Sequence, residues 1–238
     1  STKDIEARIG LQKISFGPAR ILRPLAWFDT INPEDPTGQT EGVEAFRLRV
    51  FPSNLLVLWT WVIKDESDTL SYGGRGELST NLGEWGFTIH QDPTKSSEFI
   101  GQYPVMISGS HSRVGVDFRY DGFLGFWLES VGFFSKKQNI FNEDRYALMT
   151  LGADYTLPFG DGLLIMLETL RKEGWSSKTD ASSSQTISAV MANIPVGMFH
   201  NIMIISNLDW DENNIYNYLR WSSTYDSFSI NCMASINP

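Results

Sequence analysis

The stretch RYALMTLGADYTLPFGDGLLIMLETLRKEG, residues 145–174, decides the fold. Its first part alternates, since Met149 and Leu151 share one face while small or polar residues fall between them. A period of two is typical of a β-strand. Pro158 ends this run, and the Gly and Asp residues of 159–162 suit a tight reversal before a second apolar run begins. The stretch predicts a β-hairpin with strands of about ten residues, roughly twice the common length.

Composition restricts the class of protein. The chain has 238 residues, a net charge of -9 and a pI near 4.8, which argues against a nucleic-acid partner because no basic stripe would neutralise phosphates. Its single cysteine, Cys232, excludes an internal disulfide framework. No stretch approaches the roughly 20 apolar residues of a membrane helix. A mean hydropathy of -0.18 still agrees with a membrane barrel, because barrel strands are apolar on one face only.

The alternation recurs along the chain. Further strands are predicted at 5–16, 43–51, 55–64, 70–80, 84–90, 107–120, 123–136, 186–194, 201–208, 215–225 and 228–236. In the run 55–64 the pattern puts Trp59 and Trp61 on one face, which we expect to point outward at the level of lipid headgroups. In the hairpin 145–174, Asp154 and Glu168 are expected to face water inside.

Two kinds of connection alternate between these strands. Short turns are predicted at 52–54, 81–83, 121–122, 158–162, 195–198 and 226–227. Longer polar segments are predicted at 18–42, 65–69, 92–105, 136–144, 174–185 and 209–214. Outer-membrane barrels have this arrangement, with the short turns at the periplasmic rim. A soluble jelly roll or sandwich would mix the two kinds and use Greek-key crossings.

The sequence therefore predicts an all-β, antiparallel up-and-down transmembrane β-barrel of about 12–14 strands. Residues 1–238 form one domain, and the long loop 18–42 lies either on the surface or folded into the lumen. The patterns give about thirteen strands, whereas bacterial barrels normally have an even number. We expect the sequence to be a fragment that lacks a closing strand, unless one weak strand is miscounted. The N-terminal STKDIEARIG has no signal-peptide pattern, which agrees with a processed or longer chain.

Two short motifs resemble a known family. The segments NPEDP (32–36) and GVEAFRLR (42–49), preceded by GLQKISFG (10–17), resemble poorly characterised bacterial porin-like outer-membrane proteins. Their pattern is a strand, an Asn-Pro-x-Asp-Pro loop and a Gly-Val-Asp-Ala-Leu-Arg-Leu-Arg strand. Phe16 stands where that pattern would have Trp. The resemblance covers about the first fifth of the chain, and it implies a barrel in the outer membrane of a Gram-negative bacterium.

If one face meets lipid, the opposite face lines the lumen. The predicted pore-lining residues are Arg47, Arg49, Arg75, Glu77, Glu84, His111, Arg113, Asp117, Arg119 and Glu168, and the same face carries His90, Glu129 and Arg220. Mixed charges suit the passage of small polar solutes, with selectivity set at the narrowest ring. Cross-strand Arg and Glu pairs are equally a structural device.

No cofactor, metal site or enzyme activity is predicted. The histidines lie on separate segments without a metal-binding spacing, and the SGSHS run (108–112) lacks the third member of a catalytic triad. The expected function is passive diffusion of small polar solutes through the outer membrane, with membrane lipid as the surroundings. A homo-oligomer or another assembly partner stays open. The alternatives are a barrel that serves as a scaffold or sheath in an outer-membrane assembly and a soluble carbohydrate-binding β-sandwich.

Overall fold

The computed structural model describes residues 4–65, 68–179 and 182–237, and the described chain is built from β-strands. Within these residues no helix is long and apolar enough to cross a membrane. The strands are β1 (Ile5–Gln12), β2 (Val43–Ser53), β3 (Leu56–Lys64), β4 (Leu70–Thr80), β5 (Gly83–Asp92), β6 (Ser97–Ile100), β7 (Val105–Asp121), β8 (Gly125–Lys137), β9 (Arg145–Leu157), β10 (Leu163–Trp175), β11 (Ser182–Val196), β12 (His200–Asp209), β13 (Asn214–Thr224) and β14 (Ser229–Ile236).

All 14 strands belong to one antiparallel sheet. Each strand pairs with its neighbour in the chain, except that the short β6 lies off the main path and pairs only with β7. The prediction of an all-β up-and-down barrel wall of 12–14 strands is confirmed. The sheet is not closed, because the described strands β1 and β14 do not pair with each other. The described strands follow no Greek-key order, which the sandwich alternative would have required.

The connections alternate between two rims. Short connections join β2 to β3, β4 to β5, β7 to β8, β9 to β10, β11 to β12 and β13 to β14 at the short-turn rim. At the opposite loop rim lie the described connecting residues 13–42, 65, 68–69, 93–104, 138–144, 176–179 and 210–213. Residues 97–100 of the predicted loop 92–105 form β6, which was missed because four residues are too few to show a period.

The sheet curls around one segment of its own chain. Residues 13–42, called the plug below, pack against the face of the sheet that we call the inward face. The plug contacts β8 and β10 through backbone amides, and Glu34 O accepts a hydrogen bond of 2.6 Å from the Tyr218 hydroxyl on β13. One segment can reach strands so far apart along the sheet only if the sheet bends around it.

Two details of the predicted first strands are wrong. β1 ends at Gln12 instead of Phe16, because residues 13–16 turn inward and Ile14 and Phe16 become buried in the plug. Trp61 is 0% exposed and lies on the inward face, so the expected outward pair of tryptophans does not form. The predicted alternation along β3 was correct, but the face that carries Trp61 points inward instead of outward. Both faces of β3 are apolar, so the pattern did not distinguish them.

Candidate functional site

The plug brings its own apolar core to the inward face. Leu22 and Leu25 are completely buried, and they belong to one cluster with inward side chains of the wall. The Phe16 ring lies 5.1 Å from the Trp61 ring between centroids, and Trp27 lies 6.3 Å from Phe133. Burial of several large side chains stabilises the plug in this position by the hydrophobic effect.

One wall carboxylate holds the plug backbone. Glu168 on β10 is 0% exposed, and its two oxygens accept hydrogen bonds from the backbone N–H groups of residues 20, 21 and 22 at 2.7, 2.9 and 2.6 Å. Trp127 Nε1 donates a fourth bond at 3.1 Å to the same carboxylate. Successive backbone N–H groups that converge in this way form an anion-binding nest. The nest explains how Glu168 is buried although it forms no ion pair with any residue that the structure describes.

A second wall carboxylate binds the plug on β8. Glu129 accepts hydrogen bonds from the backbone N–H groups of Ala19 at 2.8 Å and Leu25 at 3.1 Å. Gly17 lies against the same carboxylate, since a Cβ atom at this position would overlap Glu129. Its φ of +82° also lies in the left-handed region that favours glycine. The pair therefore requires glycine at 17.

The plug also has an internal ion pair. Arg23 and Asp29 are both buried, and Arg23 Nη2 donates to Asp29 at 3.1 Å and to Ser15 Oγ at 2.9 Å. This fork-like contact closes the loop between residues 15 and 29. Thr150 Oγ1 donates to Leu22 O at 2.8 Å, which adds a contact to β9.

A hairpin formed by β6 and the start of β7 also folds inward. Ile100 and Val105 are buried in the same core cluster as the plug. Lys172 Nζ on β10 donates to Pro104 O at 2.7 Å. Three strand spacings, roughly 14 Å, separate β7 from β10 along the sheet, so Pro104 must lie over the inward face. The interior near the loop rim is therefore filled by two folded segments.

Arg75 is the centre of an ion-pair network with four short hydrogen bonds. It donates to both oxygens of Asp117, at 2.6 and 2.9 Å, and its Nε donates to Glu77 at 2.9 Å. Thr88 Oγ1 accepts a further bond at 2.8 Å. Arg75 is buried, and its donors have short, well-directed partners. This group of predicted pore residues therefore has a structural role in joining β4, β5 and β7.

His111 and Arg113 form a second network. Arg113 Nε donates to His111 Nε2 at 3.0 Å and Arg113 Nη2 donates to Asp92 at 3.2 Å, while Glu98 Oε1 lies 3.7 Å from Arg113 Nη2. The possible ligand atoms of Asp92, Glu98 and His111 lie within 4.8 Å of one another. Arg113 nevertheless supplies the positive charge among them and uses the His111 lone pair. The cluster therefore suits a guanidinium better than a metal ion.

A polar cavity remains between the plug and the wall near the short-turn rim. Its volume is about 390 Å³. It is lined by five of the predicted pore residues, Arg75, Glu77, Glu84, Asp117 and Arg119, together with Phe16, Gly17 and other residues. Glu84 lies directly opposite Arg119 in the register of β5 and β7, and Arg119 forms an ion pair of 2.8 Å with Asp121. In this cavity five of the predicted pore residues border open space.

Arg47 and Arg49 lie apart from that cavity, on β2. Arg47 faces inward and is buried, and both guanidinium groups lie near the Trp59 ring, at 5.2 and 4.2 Å from its centroid. Glu6 on β1 is their acidic neighbour. The sequence did not indicate Glu6 as a site residue, although the pairing of β1 with β2 brings it opposite Arg49.

The expectation that Glu168 faces water is wrong. Its carboxylate faces inward as predicted, but the plug covers it completely. Other residues of the plug and its surroundings were not indicated at all, among them Arg23, Asp29, Asp92 and Glu98. Arg23 and Asp29 lie in irregular backbone, where the sequence shows no hydrophobic periodicity. The only signal for packing in this region was the length of the loop and its apolar residues.

The outer turn of the plug is exposed and held by local contacts. The Thr37 backbone N–H donates to Asp35 Oδ1 at 2.8 Å, and the Thr37 hydroxyl donates to the same carboxylate. These bonds lower the pKa of Asp35 below its ordinary value of 3.8. The adjacent Glu34 has a raised pKa because burial disfavours its charged form.

Comparisons of the chain with protein-family models, with curated proteins and with solved structures found no match.

Proposed function

We propose that the chain forms a porin-like channel in the outer membrane of a Gram-negative bacterium. Small polar solutes diffuse passively through it, and the plug narrows the route. The charged cavity beside the plug carries this proposal, because opposite charges around open space would replace part of a polar solute's hydration. An apolar binding pocket would not require this lining.

The outward face supports a lipid environment. Large apolar side chains are exposed on successive strands, including Phe87 at 52% and Ile89 at 63% on β5 and Leu167 at 49% on β10. A contiguous apolar surface of this extent is uncommon on soluble monomers. The face opposite the plug therefore suits contact with acyl chains.

Aromatic residues near the short-turn rim support the same proposal. Phe123 is 87% exposed and contacts Tyr155, with 5.1 Å between ring centroids. Tyr225 lies between Phe199 at 5.5 Å and Phe228 at 4.9 Å. Aromatic girdles occur where a barrel wall meets the membrane–water interface.

Cysteine accessibility during conductance measurement tests the route. We would use the full-length protein in planar bilayers on a Cys232→Ser background, which removes the native exposed thiol. Glu84→Cys places a thiol in the cavity, and a charged, water-soluble thiol reagent should then reduce the single-channel conductance. The control is Ser130→Cys on the outward face of β8, where lipid should protect the thiol from the same reagent.

The outcomes separate the proposal from its alternatives. An absence of channels in every preparation would overturn the porin proposal. Channels that appear only after residues 18–42 are replaced by a short linker would favour the scaffold or sheath, since the plug would then seal the wall. Efficient modification of Ser130→Cys in intact proteoliposomes would overturn the lipid-facing assignment.

A further inference from the structure

On the inward face of β1 and β2, three arginines lie around one carboxylate. Arg8, Arg47 and Arg49 form ion pairs with Glu6, so the group has three positive charges and one negative charge. Glu77, on the other side of Trp59, already accepts bonds from Arg75 and from Trp59 Nε1. The cluster thus has a surplus of two positive charges in a chain whose net charge is -9.

The strand register makes this surplus costly. Arg8 is the direct cross-strand partner of Arg47, and like charges in opposed positions destabilise a sheet. Glu6, opposite Arg49, reduces the repulsion but is shared among all three cations. A neutral or acidic residue at position 8 would make the pairing of β1 with β2 more stable.

The buried guanidinium is also short of hydrogen-bond acceptors. The Arg47 side chain is 7% exposed, yet its contacts are Lys13 O at 3.5 Å and Glu6 Oε1 at 3.7 Å. Arg49 Nη1 lies 3.4 Å from Glu6, and Arg49 Nε is buried without a hydrogen-bond partner among the described residues. Arg75 on the same face has four contacts of 2.6–2.9 Å. A guanidinium has five N–H donors, so Arg47 retains capacity for a bidentate acceptor.

We propose that Arg8, Arg47 and Arg49 form a binding site for a small oxyanion, a carboxylate or a phosphate, on the inward face. Trp59 packs beside both β2 guanidinium groups and orients them, while the fork of each guanidinium matches two oxygens of one anion. In the proposed channel this site would make small anions the preferred solutes. That role in solute selection rests on the proposed function, whereas binding of the oxyanion does not.

The first measurement is ion selectivity in planar bilayers under a potassium chloride gradient. Arg47→Gln/Arg49→Gln should shift the reversal potential toward cation selectivity, whereas Glu6→Gln should shift it toward anion selectivity. The charge-matched control is Arg145→Gln/Arg171→Gln, which removes two exposed arginines of β9 and β10 outside the cluster and should leave the potential unchanged. Opposite shifts in the two test variants would not follow from a general loss of structure.

The second measurement is binding of inorganic phosphate and of acetate, followed as block of the chloride current and as a rise in the Tm of the detergent-folded protein. Loss of charge-assisted hydrogen bonds in Arg47→Gln/Arg49→Gln should weaken binding roughly tenfold or more. Arg47→Lys/Arg49→Lys keeps the charge but lacks the fork, so its selectivity should persist while its oxyanion affinity falls.

These measurements distinguish failure of the site from failure of the channel. A Tm increase with phosphate, acetate or both, lost in the glutamine variant, supports the site and identifies the oxyanion even if no channel conducts. Conductance with no response to either anion, or with an equal response in wild type and Arg47→Gln/Arg49→Gln, would overturn the oxyanion site and leave the channel proposal standing.

Discussion

Two of the charged clusters on the inward face differ in their hydrogen bonding. At β8 and β10, Glu129 and Glu168 accept six bonds of 2.6–3.1 Å from the plug backbone and from Trp127. At β1 and β2, Arg47 and Arg49 contact Glu6 only at 3.7 and 3.4 Å. The first cluster is complete within its own chain, whereas the second retains unused donors and a surplus of charge.

This difference indicates a structural role for the buried carboxylates of β8 and β10 and a binding role for the arginines of β1 and β2. A buried carboxylate surrounded by backbone N–H groups stabilises one arrangement of the chain, and its removal leaves several donors unsatisfied. A cluster of like charges gains most when a counter-charge arrives from outside. Substitutions in the two clusters should therefore change the free energy of unfolding in opposite directions.

The largest effect is expected for Glu168→Ala. Four N–H donors, three of them buried, would lose their acceptor, so the protein should be destabilised by at least about 3 kcal/mol. Urea unfolding in detergent micelles would measure the change, and faster amide exchange of residues 20–22 would locate it in the plug. Glu173→Ala on the same strand, with an exposed side chain, is the control and should remain within about 0.5 kcal/mol of wild type. Similar stability of the two variants would contradict the role given to Glu168.

A smaller loss is expected for Gly17→Ala. The new Cβ combines backbone strain at a φ of +82° with overlap on the Glu129 carboxylate, and we expect a cost of about 1–3 kcal/mol. Gly38→Ala separates the two causes, because Gly38 also has a positive φ of +58° but a Cβ there would meet no atom within 4 Å. Unfolding midpoints should rank wild type above Gly38→Ala and Gly38→Ala above Gly17→Ala. Equal losses would show that contact with Glu129 is unimportant.

The sheet could be predicted from sequence because its signals are local. The alternation at Met149 and Leu151, followed by Pro158, fixes a strand and its end within a few residues. When both faces of a strand are apolar, local alternation does not predict which face points inward. Trp61 packs on the plug, and this partner lies far from β3 in sequence. Alternation alone therefore could not distinguish the inward face of β3 from the outward face.

The site was predictable only in part for a related reason. Arg47, Arg75 and Asp117 fall on the predicted polar faces of their strands, so their placement follows from the period of two. Their partners depend on long-range packing. The contact of Glu168 with residues 20–22 joins positions 146 to 148 residues apart through irregular backbone, which has no period to read.

Arg8→Gln should change stability in the opposite direction to Glu168→Ala and Gly17→Ala. It removes the charge directly opposed to Arg47, so the protein should become more stable by about 0.2–1 kcal/mol at low salt. The gain should shrink as salt screens the repulsion. Urea unfolding at two salt concentrations would measure it, with Arg171→Gln as the single-charge control. A loss of stability in Arg8→Gln would mean that Glu6 already neutralises the cluster and would remove the proposed contrast.

The smallest effect is expected at the exposed outer turn of the plug and depends on pH. The Thr37 backbone and hydroxyl lower the pKa of Asp35, so its contribution to stability is fully present above the ordinary value of 3.8 and is lost as pH falls through the lower folded-state pKa. Asp35→Asn should therefore lower the Tm near about pH 6, and the difference from wild type should shrink as the pH falls below 3.8. Thr37→Val keeps the backbone donor and should retain part of this pH dependence. A pH-independent difference between Asp35→Asn and wild type would instead assign the effect to the shape of the turn and not to the charge of Asp35.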